Sequence, residues 1–359
     1  MSKWTFSGRL ITYGAIAAIT AFSTFTPSAG AESSHSTAKE FDWPTGLAFG
    51  GGRLWVTNAA TSNVSEINPN TGAWLGSLAS SRYGFNHPTA IVDHGGELFV
   101  ANANGTVTEF RASNGSLVRR ISGATYGFAS PVAITASGND VLVLNSGKVG
   151  SITVFSASTG ALIRHIQSAS YSLENPAAFT TSGPDVWVAD QGNNSVTELN
   201  FASGKLVRVI SQQGLSSPDG IAIGSGNVWV ANNSTSSATE ISATTGAVLG
   251  TKTDQDGSYG FGNPTVMIST GYSIYTMTPF STSPMVTKMS ASTGHPYWYM
   301  CNTNGPYYFS ELSAFAISNG NLWVASRTGA NSKIAGAVTG SLTELSLGSG
   351  ALIKTLPSK

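Results

Sequence analysis

Short apolar runs alternate along this chain with clusters of Gly, Ser, Thr and Asn, and the alternation itself repeats. Pro44, Pro88, Pro131, Pro176, Pro218 and Pro264 each precede an apolar segment and follow one another at intervals of 42 to 46 residues. A seventh unit begins near Ser313 without the proline. Each unit has the same internal order. An apolar stretch such as Ile221-Ala222-Ile223 is followed by a glycine turn such as Gly224-Ser225-Gly226. A strongly apolar run follows, as in Leu54-Trp55-Val56, Leu98-Phe99-Val100, Val141-Leu142-Val143, Val186-Trp187-Val188, Val228-Trp229-Val230 and Leu322-Trp323-Val324. A polar loop then leads to a third segment such as Ser195 to Leu199. A Thr-Gly or Ser-Gly turn leads to a fourth, such as Lys205 to Ile210.

These segments predict strands, because β-branched and aromatic residues fill them and Gly, Asn and Ser fill the turns. No stretch holds a helical period. Four strands recurring every 40–50 residues are the signature of a propeller blade. The predicted fold is therefore all-β, a seven-bladed β-propeller of four-stranded antiparallel blades over residues 43–359. The second strands are apolar on both faces, as sheets covered on both sides require. The fourth strands are more polar, as outer edges should be. Ala351 to Thr355 supplies an outer strand for the seventh unit, and residues 38–43 are a further candidate to pair with it.

The first 31 residues have a different pattern. Lys3 and Arg9 precede an uncharged, mostly apolar stretch from Leu10 to Phe25, followed by Pro27 and Ala29-Gly30-Ala31. This layout predicts a secretory signal peptide over 1–31, with an uncleaved anchor as the alternative. Residues 32–42 form an N-terminal extension. The expected location is therefore secreted or in the cell envelope, without membrane attachment once the leader is removed. Charged residues are only 10% of the chain and the formal net charge is zero. Without a basic excess to displace counterions, a nucleic-acid partner is not expected. Cys301 is the single cysteine, so no internal disulfide can form, and packing must supply the stability.

The fourth unit reads Asp185-Val186-Trp187-Val188-Ala189-Asp190, then Asn193-Asn194-Ser195-Val196. On these residues the units resemble the NHL and YVTN-type propeller repeats of bacterial extracytoplasmic proteins. The resemblance covers the chain after the extension and fixes architecture rather than activity, since one fold hosts many functions. That superfamily contains streptogramin lyases, with gluconolactonase-type metal enzymes as looser relatives. Ser217-Pro218-Asp219-Gly220 is similar to a Pro-Asp-Gly phrase common to both. The His and Glu set of the lyases has no match here. A lactonase-like site would gather oxygen ligands on Ca²⁺ or Mg²⁺. Glu174, Asn175, Asp190 and Asp219 are the residues that would supply them, unless they simply close turns.

In a propeller, the loops between strands two and three and those between blades share one end, where related proteins usually bind. Asn58, Asn102, Asn145, Asp190 and Asn232 end the second strands, and Glu66, Glu109, Glu198, Glu240 and Glu344 recur on the third. A residue repeated in most blades meets a need that every blade has, so these are assigned to structure. Tyr83, Phe85, Tyr126, Phe128, Tyr259 and Phe261 occupy inter-blade loops. They form either an aromatic rim for a ligand or plugs between blades. His87 is the one histidine in an inter-blade loop at the expected functional end, and no triad partner for it is evident. The repeat breaks in units six and seven, where Phe280 and Arg327 occupy irregular loops, the longest running from Ser326 to Gly340. The expectation is a monomeric binding propeller, without cofactor or catalytic residues, for a protein, glycan or small ligand. The alternative is a metal-dependent lyase or lactonase with its site at the mouth of the central channel.

Overall fold

A computed structural model gives the fold and describes residues 35–36, 41–211, 214–254, 257–279, 283–302, 307, 309–327 and 340–357. The propeller expectation holds, with seven four-stranded antiparallel blades arranged in a ring. The only helical pieces among these residues are single 3₁₀ turns, Ser81–Tyr83, Ala124–Tyr126 and Ala169–Tyr171. The blades span residues 44–78, 88–121, 131–166, 176–210, 218–253, 267–301 and 312–357. Each is built from consecutive strands, innermost first.

The second strands are buried almost throughout, as in Asp185–Asp190 and Asn227–Asn232. Apolar area removed from water on both faces of each blade is the main stabilising term. The described residues form seven apolar clusters, one at each seam between neighbouring blades. Leu312 pairs with Ser326 as Pro44 pairs with Asn58, so a leucine holds the proline's place in blade seven. Blade six departs further. Its inner strand is only Met267–Ser269, and Pro264 lies outside the ladder.

The ring closes without exchanging a strand. Blade seven supplies its own outer strand, Leu352–Pro357. The N-terminal segment pairs instead with blade one, where His35–Ser36 lies antiparallel to Trp74–Leu78. Phe41 to Trp43 form no strand, and residues 38–40 lie outside the described set. Phe41 packs into the closing seam with Leu47, Trp323 and Leu342. A cation on an outer strand also reaches the next blade's turn between strands three and four. Arg119 donates to the Ser158 carbonyl, Arg164 to Ala202 and Arg208 to Thr244. Lys354 of blade seven makes the same reach to the Pro69 and Asn70 carbonyls of blade one, both at 3.0 Å.

The recurring glutamates are the counterions of this system. Glu66 pairs with Arg53, Glu109 with Arg119, Glu198 with Arg208 and Glu344 with Lys354. Glu240 accepts from Asn227.

Candidate functional site

Hydrogen bonds join the loops after the second strands to the inter-blade loops, so both sets lie at one end, called here the top. Asn102 Oδ1 accepts from the Asn86 amide, Asn145 from Ala129 and Asn232 from Ser216, each at 3.2 Å. The same asparagines donate through Nδ2 to a third-strand hydroxyl, Thr108, Thr153 or Thr239. That hydroxyl donates in turn to an inter-blade carbonyl, as Thr108 does to Tyr83 and Thr153 to Tyr126. The recurring Asn is thus a turn device, as its repetition predicted.

The residue before each inner strand, or before Pro264 in blade six, adopts a left-handed backbone. Trp43, His87, Ser130, Asn175, Ser217, Asn263 and Glu311 all have φ between 21° and 57°. Their N–H groups can be capped from the preceding blade, as in His87 N to Ser62 Oγ and Ser217 N to Asn194 Oδ1. The inner strands begin at the top, so these seven positions ring the mouth of the central channel. Asn and His are enriched in this conformation and the small Ser fits it, whereas a bulky side chain there is an outlier that costs about 1–3 kcal/mol. The adjacent blades seven and one break the pattern with Glu311 and Trp43, and blade two follows with His87. Trp43 leaves 47% of its surface in solvent. The Arg327 guanidinium sits over its ring, 5.7 Å from the centroid, and the Arg327 amide donates to the Glu311 carbonyl. Burial lowers the Arg327 pKa, while the Glu311 carboxylate opposes the shift. The arrangement offers an aromatic face, a guanidinium and an imidazole on one arc of the top face.

Trp43 and Glu311 were missed in the sequence, although the signal was present. Aligning the units on their prolines places a tryptophan where the other blades carry small or polar residues. Arg327 and His87 were among the sequence candidates, and the structure brings them to the same arc. Phe280 and residues 328–339 lie outside the described residues.

The aromatic pairs of the inter-blade loops stack on one another: Tyr83 on Phe85, Tyr126 on Phe128 and Tyr259 on Phe261. They pack in the seams. Tyr83 is fully buried and donates to the Gly115 carbonyl, Tyr126 donates to Gly160, and Phe261 is buried. Their rings fill gaps between blades, and little of them forms an open rim.

The oxygen-ligand candidates are dispersed between two blades. Asp190 holds the recurring asparagine position in blade four, and its Oδ2 accepts from the Glu174 amide at 2.8 Å. Burial pushes Asp190 up to about 7, against backbone N–H groups of Glu174, Asn193 and Gly192 that pull it down. Asp219 lies at the bulge after Pro218 in blade five, where burial raises it to about 6 and Asn233 donates to it. Asn175 is exposed at its left-handed position. No three His, Cys, Asp or Glu side chains converge as a metal site among the described residues. The glycine of the Pro-Asp-Gly phrase has a steric reason, because a Cβ on Gly220 would collide with the Thr265 carbonyl of blade six.

The chain has the fold of known propellers. No protein-family model and no curated protein matches it. Among solved structures it is similar to the computationally designed Ika8 protein, at 15% identity and a TM-score of 0.63, covering 89% of this chain and 88% of that one. Virginiamycin B lyase from Staphylococcus aureus is similar at 14% identity and a TM-score of 0.62, with 79% and 92% covered. BamB from Moraxella catarrhalis is similar at 14% and 0.53, with 79% and 80% covered. At these identities the likeness establishes the fold alone. No helix among the described residues is long and apolar enough to cross a membrane.

Proposed function

We propose that this chain is an extracytoplasmic recognition propeller of the NHL/YVTN-like kind, non-enzymatic, that binds a protein, glycan or small ligand on its top face. Residues 1–31 act as its signal peptide, and N-terminal sequencing of the exported protein should begin at Glu32. One observation carries the binding site. A half-exposed tryptophan is held in a conformation that suits Ser, Asn or Gly, with an arginine over its ring, at the channel mouth. Unfavourable backbone geometry persisting at one position in a repeat is a mark of functional sites. Trp and Arg are also the side chains that most often anchor interfaces. His87 and Glu311 lie on either side of this anchor.

The test is calorimetry against peptide and glycan panels with the wild type, Trp43→Gly and Arg327→Ala. Binding should be lost in both variants while circular dichroism of the blades is unchanged. Binding that survives both variants would overturn the assignment. The second reading, a metal-dependent lyase or lactonase using Asp219 and neighbouring carboxylates, is favoured by the burial-raised Asp219 at the mouth. Turnover of virginiamycin B or a lactone in the presence of Ca²⁺ or Mg²⁺, abolished by Asp219→Asn, would establish that reading instead.

A further inference from the structure

The seam that closes the ring has an opening at the bottom end, remote from the channel mouth. In blades two to seven the residue two beyond the third strand's last apolar position ties its N–H to the blade's first turn. Ala112 donates to the Gly96 carbonyl, Ala157 to Asn139, Phe201 to Pro184, Ala243 to Gly226, Ala291 to Tyr272 and Leu347 to Gly320. Blade one has Pro69 at this position, and proline has no N–H to donate. A cavity of about 200 Å³ lies beside it, walled by Phe49, Trp323 and Ile353 and edged by Asn70, Asn319 and Asn321.

The indole of Trp323 differs at the same place from that of blade five. In blade five, Trp229 Nε1 donates to the Ala291 carbonyl of the next blade at 2.8 Å. The matching acceptor for Trp323 is the Pro69 carbonyl, which Lys354 occupies. Trp323 is 1% exposed, lines the cavity, and its Nε1 has no acceptor among the described residues. A ligand oxygen in the cavity would give that N–H an acceptor.

The charges beside the cavity are already spent. Lys354 Nζ donates to the Pro69 and Asn70 carbonyls, forms an ion pair with Glu344 Oε2 and lies over the Trp323 ring. Its charge is engaged within the protein. Glu344 is neutralised by Lys354 and also accepts from Asn321 Nδ2 at 2.7 Å. The free groups are neutral, namely the amides of Asn70 and Asn319, the indole N–H, and apolar walls of two aromatic rings and an isoleucine. The volume is below the ~300–1,000 Å³ of sites for drug-sized molecules. Neutral donors and acceptors beside an exposed isoleucine, with two buried aromatic rings behind, suit a compact neutral ring with hydroxyls at its edge.

We propose that the cavity between blades seven and one is a binding site for a single neutral pyranose, the terminal unit of a glycan. The site does not depend on the top-face assignment. The test follows the indole N–H resonances of the folded protein during titration with neutral methyl glycosides, with a uronic acid and an amino sugar as charged comparisons. One indole signal, the one missing in Trp323→Phe, should move saturably with a neutral glycoside. Asn70→Ala combined with Asn319→Gly leaves the blade contacts and should weaken binding by about ten-fold, which is about 1.4 kcal/mol of lost hydrogen bonding in sum. Asn319 has φ 51°, so glycine is the replacement that its backbone accepts. Trp43→Gly should leave the titration unchanged. An indole spectrum unmoved by every neutral glycoside, an unaltered titration in the double variant, or tighter binding of a charged sugar would each overturn the proposal.

Discussion

The seam between blades two and three and the seam between blades seven and one are built from the same parts. In the first, Arg119 pairs with Glu109 and caps Ser158, the Ala157 amide caps Asn139, and the mouth position is Ser130. In the second, Lys354 pairs with Glu344 and caps Pro69 and Asn70, the capping amide is absent at Pro69, and the mouth position is Trp43. Phe128 and Phe41 both pack in their seams, two residues before the left-handed position. Ring closure is therefore one more repetition of the side-chain latch, and no strand is exchanged. The exchanged residues leave chemistry open at both ends of the closing seam, a half-exposed tryptophan under a partly buried arginine at the top and an indole without an acceptor at the bottom. Features shared by all blades hold the ring, and features confined to one seam are where a ligand can act.

The largest effect expected from breaking that comparison is at Gly220. Blades two, three, four and seven already carry alanine at the matching position, as Ala90, Ala133, Ala178 and Ala314. Gly46 in blade one would place a Cβ 3.0 Å from Ile91 Cγ2 and Thr57 Oγ1, side-chain atoms that can give way, and 3.2 Å from the Ile91 amide nitrogen. Gly220 faces the Thr265 backbone of blade six, whose short inner ladder has no register shift. Gly220→Ala should cost about 3 kcal/mol or more, against less than about 1 kcal/mol for Gly46→Ala. Urea denaturation of the two variants measures both. Equal costs would mean that the backbone of blade six adjusts freely.

Lys354→Met comes next. It removes the latch of the closing seam and leaves Glu344, 6% exposed at its side chain, without a cation. Breaking a fully buried pair costs about 3–5 kcal/mol. Lys354 is 21% exposed, so about 2 kcal/mol is expected here. The same denaturation series should give a comparable loss for Arg119→Met. A negligible loss at Lys354 alone would mean that the closing seam is held by its apolar cluster and that the latch is incidental there.

The blade plan was legible from the sequence because its cause is local. Two-sided apolar runs such as Val228-Trp229-Val230 need cover on both faces, and glycine turns at fixed spacing set the strand lengths. The recurring Asn and Glu were legible as structure for the same reason. The role of the Tyr-Gly-Phe loops was open between rim and plug, because the depth of a ring in a seam depends on the neighbouring blade. Gly115 and Gly160, whose carbonyls accept from Tyr83 and Tyr126, lie more than thirty residues further along the chain. Trp43 was hidden differently. It stands at the junction of the extension and the first unit, and its backbone conformation is visible only in three dimensions. The opening at Pro69 was hidden because a missing N–H matters only when its counterparts in other blades are known to be bonded.

A smaller effect separates blade four from its neighbours. Asp190 occupies the place of Asn102, Asn145 and Asn232, but an ionised carboxylate cannot donate to Thr197 as those amides do to their own threonines. Burial raises its pKa to about 7, above the ~3.9 of an unfolded aspartate. The folded state therefore holds the proton more tightly, so this group's contribution is full below about pH 4 and is lost as pH rises towards 7. Asp93 and Glu109 are raised to about 7 as well and act with the same sign, so only a difference measurement isolates Asp190. Asp190→Asn should match the wild type near pH 4 and gain on it steadily as the pH rises to 8. A constant difference across that range would show that the carboxylate stays ionised and that the blade-four turn is tied by other groups.

The smallest stability effect is expected at the position assigned to recognition, and its sign carries the argument. If Trp43 were a seam residue like Phe41, its removal would expose a cavity and cost several kcal/mol. Its ring is 47% exposed, its backbone has φ 57°, and its carbonyl accepts from the Ala59 amide whatever the side chain. Glycine keeps that backbone bond, relieves the left-handed strain and gives up only partial burial. Trp43→Gly should therefore change stability by no more than about 1 kcal/mol, in either direction, while ligand binding at the mouth is lost. A thermal melt beside the calorimetric titration reads both quantities on one sample. Loss of stability together with binding would return Trp43 to the structural residues and leave the closing seam no different at its top from the other six. Loss of binding alone would mean that this seam's departure from the repeat is maintained for the ligand.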